Sequence, residues 1–134
     1  MSHLAEDAVL ADMARPDEVY RAGLAVGELR YQRCETCDGA VFYPRVVCPF
    51  CGGTALVTLV SAGRGTVYSS TAIRQRDADS YTVTMVDLDE GFRMLSTVQG
   101  IPAEKVEVGL VVMVAFDKDA NGEPRAIFVP ETLA

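Results

Sequence analysis

The sequence predicts a mainly β protein built in parts: short N-terminal helices, a metal-held ribbon and a small barrel of about five strands. Two observations carry that prediction. All four cysteines fall within 18 residues, as Cys34-Glu-Thr-Cys37 and Cys48-Pro-Phe-Cys51, the spacing at which two tight turns present four thiolates to one tetrahedral ion. Beyond them, apolar residues alternate with period two and turn residues recur about every ten positions, the pattern of short paired strands. At 134 residues and 49% hydrophobic, the chain can bury about two thirds of its extended surface. No apolar run approaches the ~20 residues of a membrane span.

In order along the chain, residues 3–14 and 17–26 read as two short helices separated at Pro16, with Asp17 placed to cap the second and Tyr20 and Leu24 sharing a face. Gly27 stops that helix. Residues 28–54 form the ribbon, with Leu29, Tyr31 and Arg33 alternating into the first cysteine pair and Ala40–Tyr43 forming a second short strand ended by Pro44. Gly39 and Gly52-Gly53 supply permissive backbone beside the cysteines. Residues 55–134 form the barrel domain. Thr54–Val60 is β-rich, Gly63-Arg64-Gly65 is a turn, and Thr66–Arg74 alternates. Tyr81–Leu88 and Phe92–Val98 flank Asp89-Glu90-Gly91 as a hairpin. Val106–Phe116 is the most apolar strand, with Gly109 marking a bulge or bend. Asn121-Gly122 turns the chain into Arg125–Val129. A five-stranded OB-fold suits this strand count, and an SH3-like barrel is the alternative by pattern.

Cys34, Cys37, Cys48 and Cys51 are the candidate metal ligands. Four sulfurs leave no open coordination position, so the ion is structural, and a ribbon too small to bury a core of its own depends on it. Zn2+, one per chain, is the expected ion; iron fits a similar cage. A redox CxxC normally comes singly at the start of a helix in a βαβ setting, and paired disulfides suit a secreted chain. Met1–Asp7 has no basic n-region and carries two acids, so a cytoplasmic protein is expected.

The net charge of −7 argues against a nucleic-acid protein. Its distribution is uneven: residues 1–20 sum to −4, residues 21–76 to +4 with arginine as the only base, and residues 77–134 to −7. Arg30, Arg33 and Arg45 lie close in sequence to the thiolates, whose complex with zinc would be anionic. Arg64, Arg74 and Arg76 remain, and they are candidates for an anionic ligand's phosphates, with Gly63 and Gly65 allowing close backbone approach. Catalytic groups are missing. The one histidine, His3, is near the N-terminus, every thiol is assigned to the metal, and Lys105 and Lys118 lie beside acids in turn-like segments. The acids Asp87, Asp89 and Glu90 occupy a hairpin turn, where acids favour the turn itself. Tyr68 and Tyr81 could stack single-stranded bases, a reading that the acidity of residues 77–134 opposes.

An ordered set of motifs now resembles a known family: Gly27-Glu-Leu-Arg-Tyr-Gln-Arg-Cys34, Phe42-Tyr-Pro-Arg45 before Cys48-Pro-Phe-Cys51-Gly52, and Gly63-Arg-Gly-Thr-Val-Tyr-Ser69. Val86-Asp-Leu-Asp-Glu-Gly91 with Arg93-Met-Leu-Ser96, then Val108-Gly109 and Phe128-Val-Pro130, continue it. The chain resembles, over roughly 19–130, the acyl-CoA-associated proteins that join an N-terminal rubredoxin-like zinc ribbon to a C-terminal OB-fold. The resemblance implies a non-catalytic subunit that forms a hetero-oligomer with a thiolase-type enzyme and helps bind the CoA thioester at the shared interface. An accessory role toward a CoA-thioester aldolase or hydratase is the alternative. It matches the four cysteines to the zinc ligands and makes CoA the ligand for Arg64, Arg74 and Arg76. The short loop Gln75–Ser80 departs from longer loops in the family.

Overall fold

The computed structural model describes residues 15–134, so the expected helix at 3–14 and His3 lie outside the described residues. The chain divides into two compact units at Ser61/Ala62.

In the first unit, helix α1 spans Pro16–Ala25. Pro16 sets the first helical φ and loses no hydrogen bond by lacking an N–H there. Asp17 lies inside the first turn, not at the cap. Arg15 holds the cap position without a side-chain bond to the helix's free N–H groups, and Asp17 takes Arg15 and Arg21 at 3.1 and 3.2 Å while complementing the positive helix end. Gly27, at φ 75°, ends α1 in a Schellman motif, with the Glu28 N–H donating to the Gly23 carbonyl and the Gly27 N–H to the Leu24 carbonyl. The chain then enters β1 (Arg30–Cys34), which lies between β2 (Ala40–Val41) and β3 (Leu56–Val60), both antiparallel to it.

That pairing corrects the placement of residues 56–60. Their period-two pattern identified a strand but could not name its neighbour, and β3 belongs to the ribbon's sheet, with Gln32 opposite Thr58 and Cys34 opposite Leu56. Tyr20 packs edge-on against Phe42 and Tyr43, ring centroids 5.4 and 4.8 Å away. Gln32 is buried, and its amide both donates to and accepts from the Arg45 backbone.

The second unit is a five-stranded OB-fold sheet of β4 (Arg64–Ile73), β5 (Tyr81–Leu88), β6 (Arg93–Ser96), β7 (Val111–Lys118) and β8 (Pro124–Pro130), in the order β6-β5-β4-β7-β8. It curls until the segment after β6 meets β8 in parallel. Phe128 donates to the Thr97 carbonyl at 3.0 Å and Gln99 donates back to Phe128 at 2.8 Å. The first barrel strand thus pairs with the second and fourth, and the third closes on the fifth, which selects the OB-fold over an SH3-like barrel. Val67, Val86, Val112 and Phe128 fill the interior with Thr82 and Thr84. Their hydroxyls are satisfied along a chain: Ser70 to Thr84 (2.9 Å), Thr84 to Thr82 (2.8 Å) and Thr82 to Thr97 (3.2 Å).

Two glycine readings change. Gly63-Arg64-Gly65 is not a separate turn, because Arg64 and Gly65 already pair with β7 and Gly65 also with β5. Gly109 is not a bulge within a strand. At φ 93° it turns the chain before β7 begins at Val111, and its N–H donates to the Val67 carbonyl at 2.9 Å. The two hairpin turns are as expected, with Gly91 and Gly122 at positive φ and the Asp119 carboxylate accepting from the Asn121 and Glu123 N–H groups. Among the described residues no helix is long and apolar enough to cross a membrane.

Candidate metal centre

The two cysteine turns are copies of each other. In the first, the Cys34 N–H donates to the Gly39 carbonyl (3.0 Å) and the Asp38 N–H to the Cys34 carbonyl (2.8 Å). In the second, Cys48 donates to Gly53 (2.8 Å) and Gly52 to Cys48 (2.9 Å). Each loop reverses at the residue after its second cysteine, and there the backbone is left-handed, at φ 63° for Asp38 and 77° for Gly52. Gly39 therefore serves space, not dihedral freedom: a Cβ on it would lie 2.7 Å from the Phe50 ring. Asp38 escaped the sequence reading because aspartate is a tolerated but uncommon left-handed residue.

The four Sγ atoms all lie within 4.8 Å of one another. The Cys34–Cys51 and Cys37–Cys48 sulfurs are 3.6 and 3.7 Å apart. An ion bonded at ~2.3 Å to the corners of a tetrahedron needs sulfurs roughly 3.8 Å apart, so the donor set fits a four-thiolate ion. Cys34 and Cys48 are buried and Cys37 and Cys51 reach the surface. The thiols are unequal: N–H donation from Cys37, resisted by burial and helped by Thr36, brings Cys34 down to about 7. For Cys37, the Gly39 N–H acts to lower the value, but burial and the neighbouring thiols prevail and push it up to about 12. Thiols this close cannot all ionise unaided. A dication at their centre would supply the missing charge.

Of the arginines near the cysteines in sequence, Arg33 stays at the first turn, donating to the Asp38 carbonyl at 2.8 Å. Arg30 turns to α1 instead, pairing with Glu28 and the Val19 carbonyl. In the barrel unit, Arg64 is clamped between Glu131 (2.7 Å) and Asp89 (3.1 Å). The space beside Gly63 and Gly65 is filled by the barrel itself, by Val114 and by the Asp87 carbonyl and Val86. Arg74 and Arg76 lie exposed where β4 ends, with Arg74 no closer than 3.9 Å to Glu104. The structure thus separates Arg64 from the other two in environment.

The acidic group at the hairpin is also accounted for internally. Asp87 pairs with Arg93, Asp89 with Arg64, and the Glu90 carboxylate accepts from the Ala62 N–H at 2.7 Å. Tyr68 is covered by the Arg93 guanidinium, 3.5 Å from its ring centroid.

Two family models match in the order of the two units. One, described as "ChsH2, rubredoxin-like zinc ribbon domain", covers residues 21–57, and the other, "ChsH2, C-terminal OB-fold domain", covers residues 60–117. The chain is also 32% identical over 92 residues to a DUF35 domain-containing scaffold protein of Methanothermobacter thermautotrophicus, covering 64% of this chain and 69% of that one. The chain belongs to the ChsH2 (DUF35) family. This family of zinc-ribbon and OB-fold proteins is associated with acyl-CoA enzymes. A probable enoyl-CoA hydratase alpha subunit of Thermomonospora curvata is 34% identical over 86 residues, 61% of this ChsH2-family chain. The chain spans only 27% of that subunit's length. Among solved structures, Ltp2-ChsH2(DUF35) aldolase superposes with a TM-score of 0.75 at 28% identity, covering 87% of this chain and 95% of that one.

Proposed function

We propose that this ChsH2-family chain is a non-catalytic accessory subunit of a CoA-thioester enzyme of hydratase or aldolase type, its ribbon held by one zinc on Cys34, Cys37, Cys48 and Cys51. The observation that carries the reading is the superposition on 95% of the DUF35 chain of an aldolase. The hydratase subunit among the relatives points the same way. The thiolase-type partner implied by the sequence resemblance has no such support from these relatives, and the aldolase or hydratase alternative replaces it as the favoured reading.

Within that reading Arg74 and Arg76 are the candidate contacts for CoA phosphates, since both lie exposed just past the end of β4, Arg76 with no ion pair among the described residues and Arg74 with only the long 3.9 Å contact to Glu104. Arg64 has its charge matched by two acids. Co-expression with the hydratase and aldolase genes of its neighbourhood tests the proposal. Co-elution on a sizing column together with a gain in partner activity supports it; a chain that elutes alone and alters neither activity overturns it. Metal analysis of the purified protein should return one zinc per chain with no visible absorption, and a visible thiolate-to-iron absorption would identify iron instead.

A further inference from the structure

Beyond the metal centre, the ribbon unit holds a cleft of about 180 Å³ between α1, one face of the sheet and the loop after β2. Val19, Pro44 and Leu56 give it an apolar wall, and no carboxylate lines it. Tyr20, which also lines it, keeps only 9% of its surface exposed, yet its hydroxyl has no hydrogen-bond partner among the described residues. No unpartnered side-chain oxygen is wholly sealed in the described residues, so this hydroxyl keeps some contact with solvent, and the cleft is one that Tyr20 itself lines. Burial, with Tyr43 adding to it, pushes the phenol up to about 12, which keeps it a donor at ordinary pH.

On the other lip stands Arg45. Among the described residues of this unit, Arg15 and Arg21 pair with Asp17, Arg30 with Glu28 and Arg33 with Asp38. Arg45 is exposed, and its guanidinium has no partner there. Its position is nevertheless fixed, because the buried amide of Gln32 holds its backbone N–H at 2.7 Å and its carbonyl at 2.9 Å. A phenol donor and an apolar wall in one cleft, which Arg30, Gln32, Thr54 and Thr58 also line, together with an unneutralised arginine whose backbone is anchored at the rim, fit an anion with a small aliphatic body.

We propose that this cleft binds a short-chain carboxylate, with its oxygens on the Tyr20 hydroxyl and the Arg45 guanidinium and its aliphatic tail against Val19, Pro44 and Leu56. Inorganic phosphate has no tail to bury and is more strongly hydrated, so it should bind less well. The inference does not depend on the identity of the partner enzyme.

The test is titration of the full chain, purified with its metal, with sodium butyrate at constant ionic strength, followed by amide and methyl NMR. The expected result is saturable shifts at Val19, Tyr20, Arg45 and Leu56. Loss of one neutral and one charge-assisted hydrogen bond should weaken binding roughly fivefold in Tyr20→Phe and roughly tenfold in Arg45→Gln, with Arg45→Lys in between. Absence of saturable shifts overturns the proposal, as does unchanged affinity in both Tyr20→Phe and Arg45→Gln. Phosphate binding as tightly as butyrate overturns it too, because the site would then be a plain cation. Zinc content and the barrel's resonances report whether each variant has kept its fold, and Tyr20→Phe, which removes only an oxygen, decides the matter if Arg45→Gln loses its metal.

Discussion

Asp38 occupies, at φ 63°, the place that Gly52 fills in the other cysteine turn, and that equivalence makes it a sensitive position. Asp38→Gly should leave stability within about 0.5 kcal/mol, since glycine's ease in the left-handed region offsets its greater freedom when unfolded. A β-branched residue has no such ease. Asp38→Val should cost about 1–2 kcal/mol and loosen the metal, measured by chelator competition alongside denaturant titration. At this scale the sequence was most legible where chemistry is local. The four cysteines announce themselves because each pair needs only its own turn to aim two sulfurs. Arg64 could not be read that way: its partner Glu131 lies 67 residues away, and no local pattern reports that contact.

Among the elements, α1 is held to the ribbon through Tyr20, and that packing has a pH signature. The phenol's folded-state value of about 12 lies above its ordinary 10.0. The burial of Tyr20 therefore contributes stability that is complete below pH 10 and is lost as the pH rises through 12. Denaturant midpoints measured across that window should fall for the native chain and fall less for Tyr20→Phe. In the barrel, β4 and β5 approach so closely at Gly65 that an added Cβ would meet the Asp87 carbonyl at 2.7 Å. Backbone cannot swing aside as a side chain can, so Gly65→Ala should cost about 1–3 kcal/mol in chemical unfolding. The glycines of Gly63-Arg64-Gly65 invited a ligand-facing reading because a sequence shows that space is left, not what fills it; here neighbouring strands fill it.

Across the whole molecule, two units of different physical origin share one chain. The barrel is stabilised by an apolar interior. The ribbon is held largely by four sulfurs around a proposed ion, whose binding in such sites is worth roughly 10–16 kcal/mol at neutral pH. Removing the metal with a strong chelator should abolish amide protection across residues 30–60 while residues 62–134 keep theirs, read peptide by peptide by exchange mass spectrometry. The order of parts was legible because hydrophobic period and cysteine spacing change along the chain. The sheet to which β3 belongs was not, since alternation identifies a strand but leaves its neighbour open, and Leu56–Val60 is the last strand before the first unit ends at Ser61.

The junction where the OB-fold sheet meets itself has a dynamic consequence. Along that seam few bonds cross between the segment after β6 and β8, whereas β4 is paired along both edges near its start. Breathing of the folded barrel should begin there, as a cuff parting along its stitching. The Gln99 and Phe128 amides, although Phe128 is fully buried, should take up deuterium sooner than the Gly65 and Val67 amides.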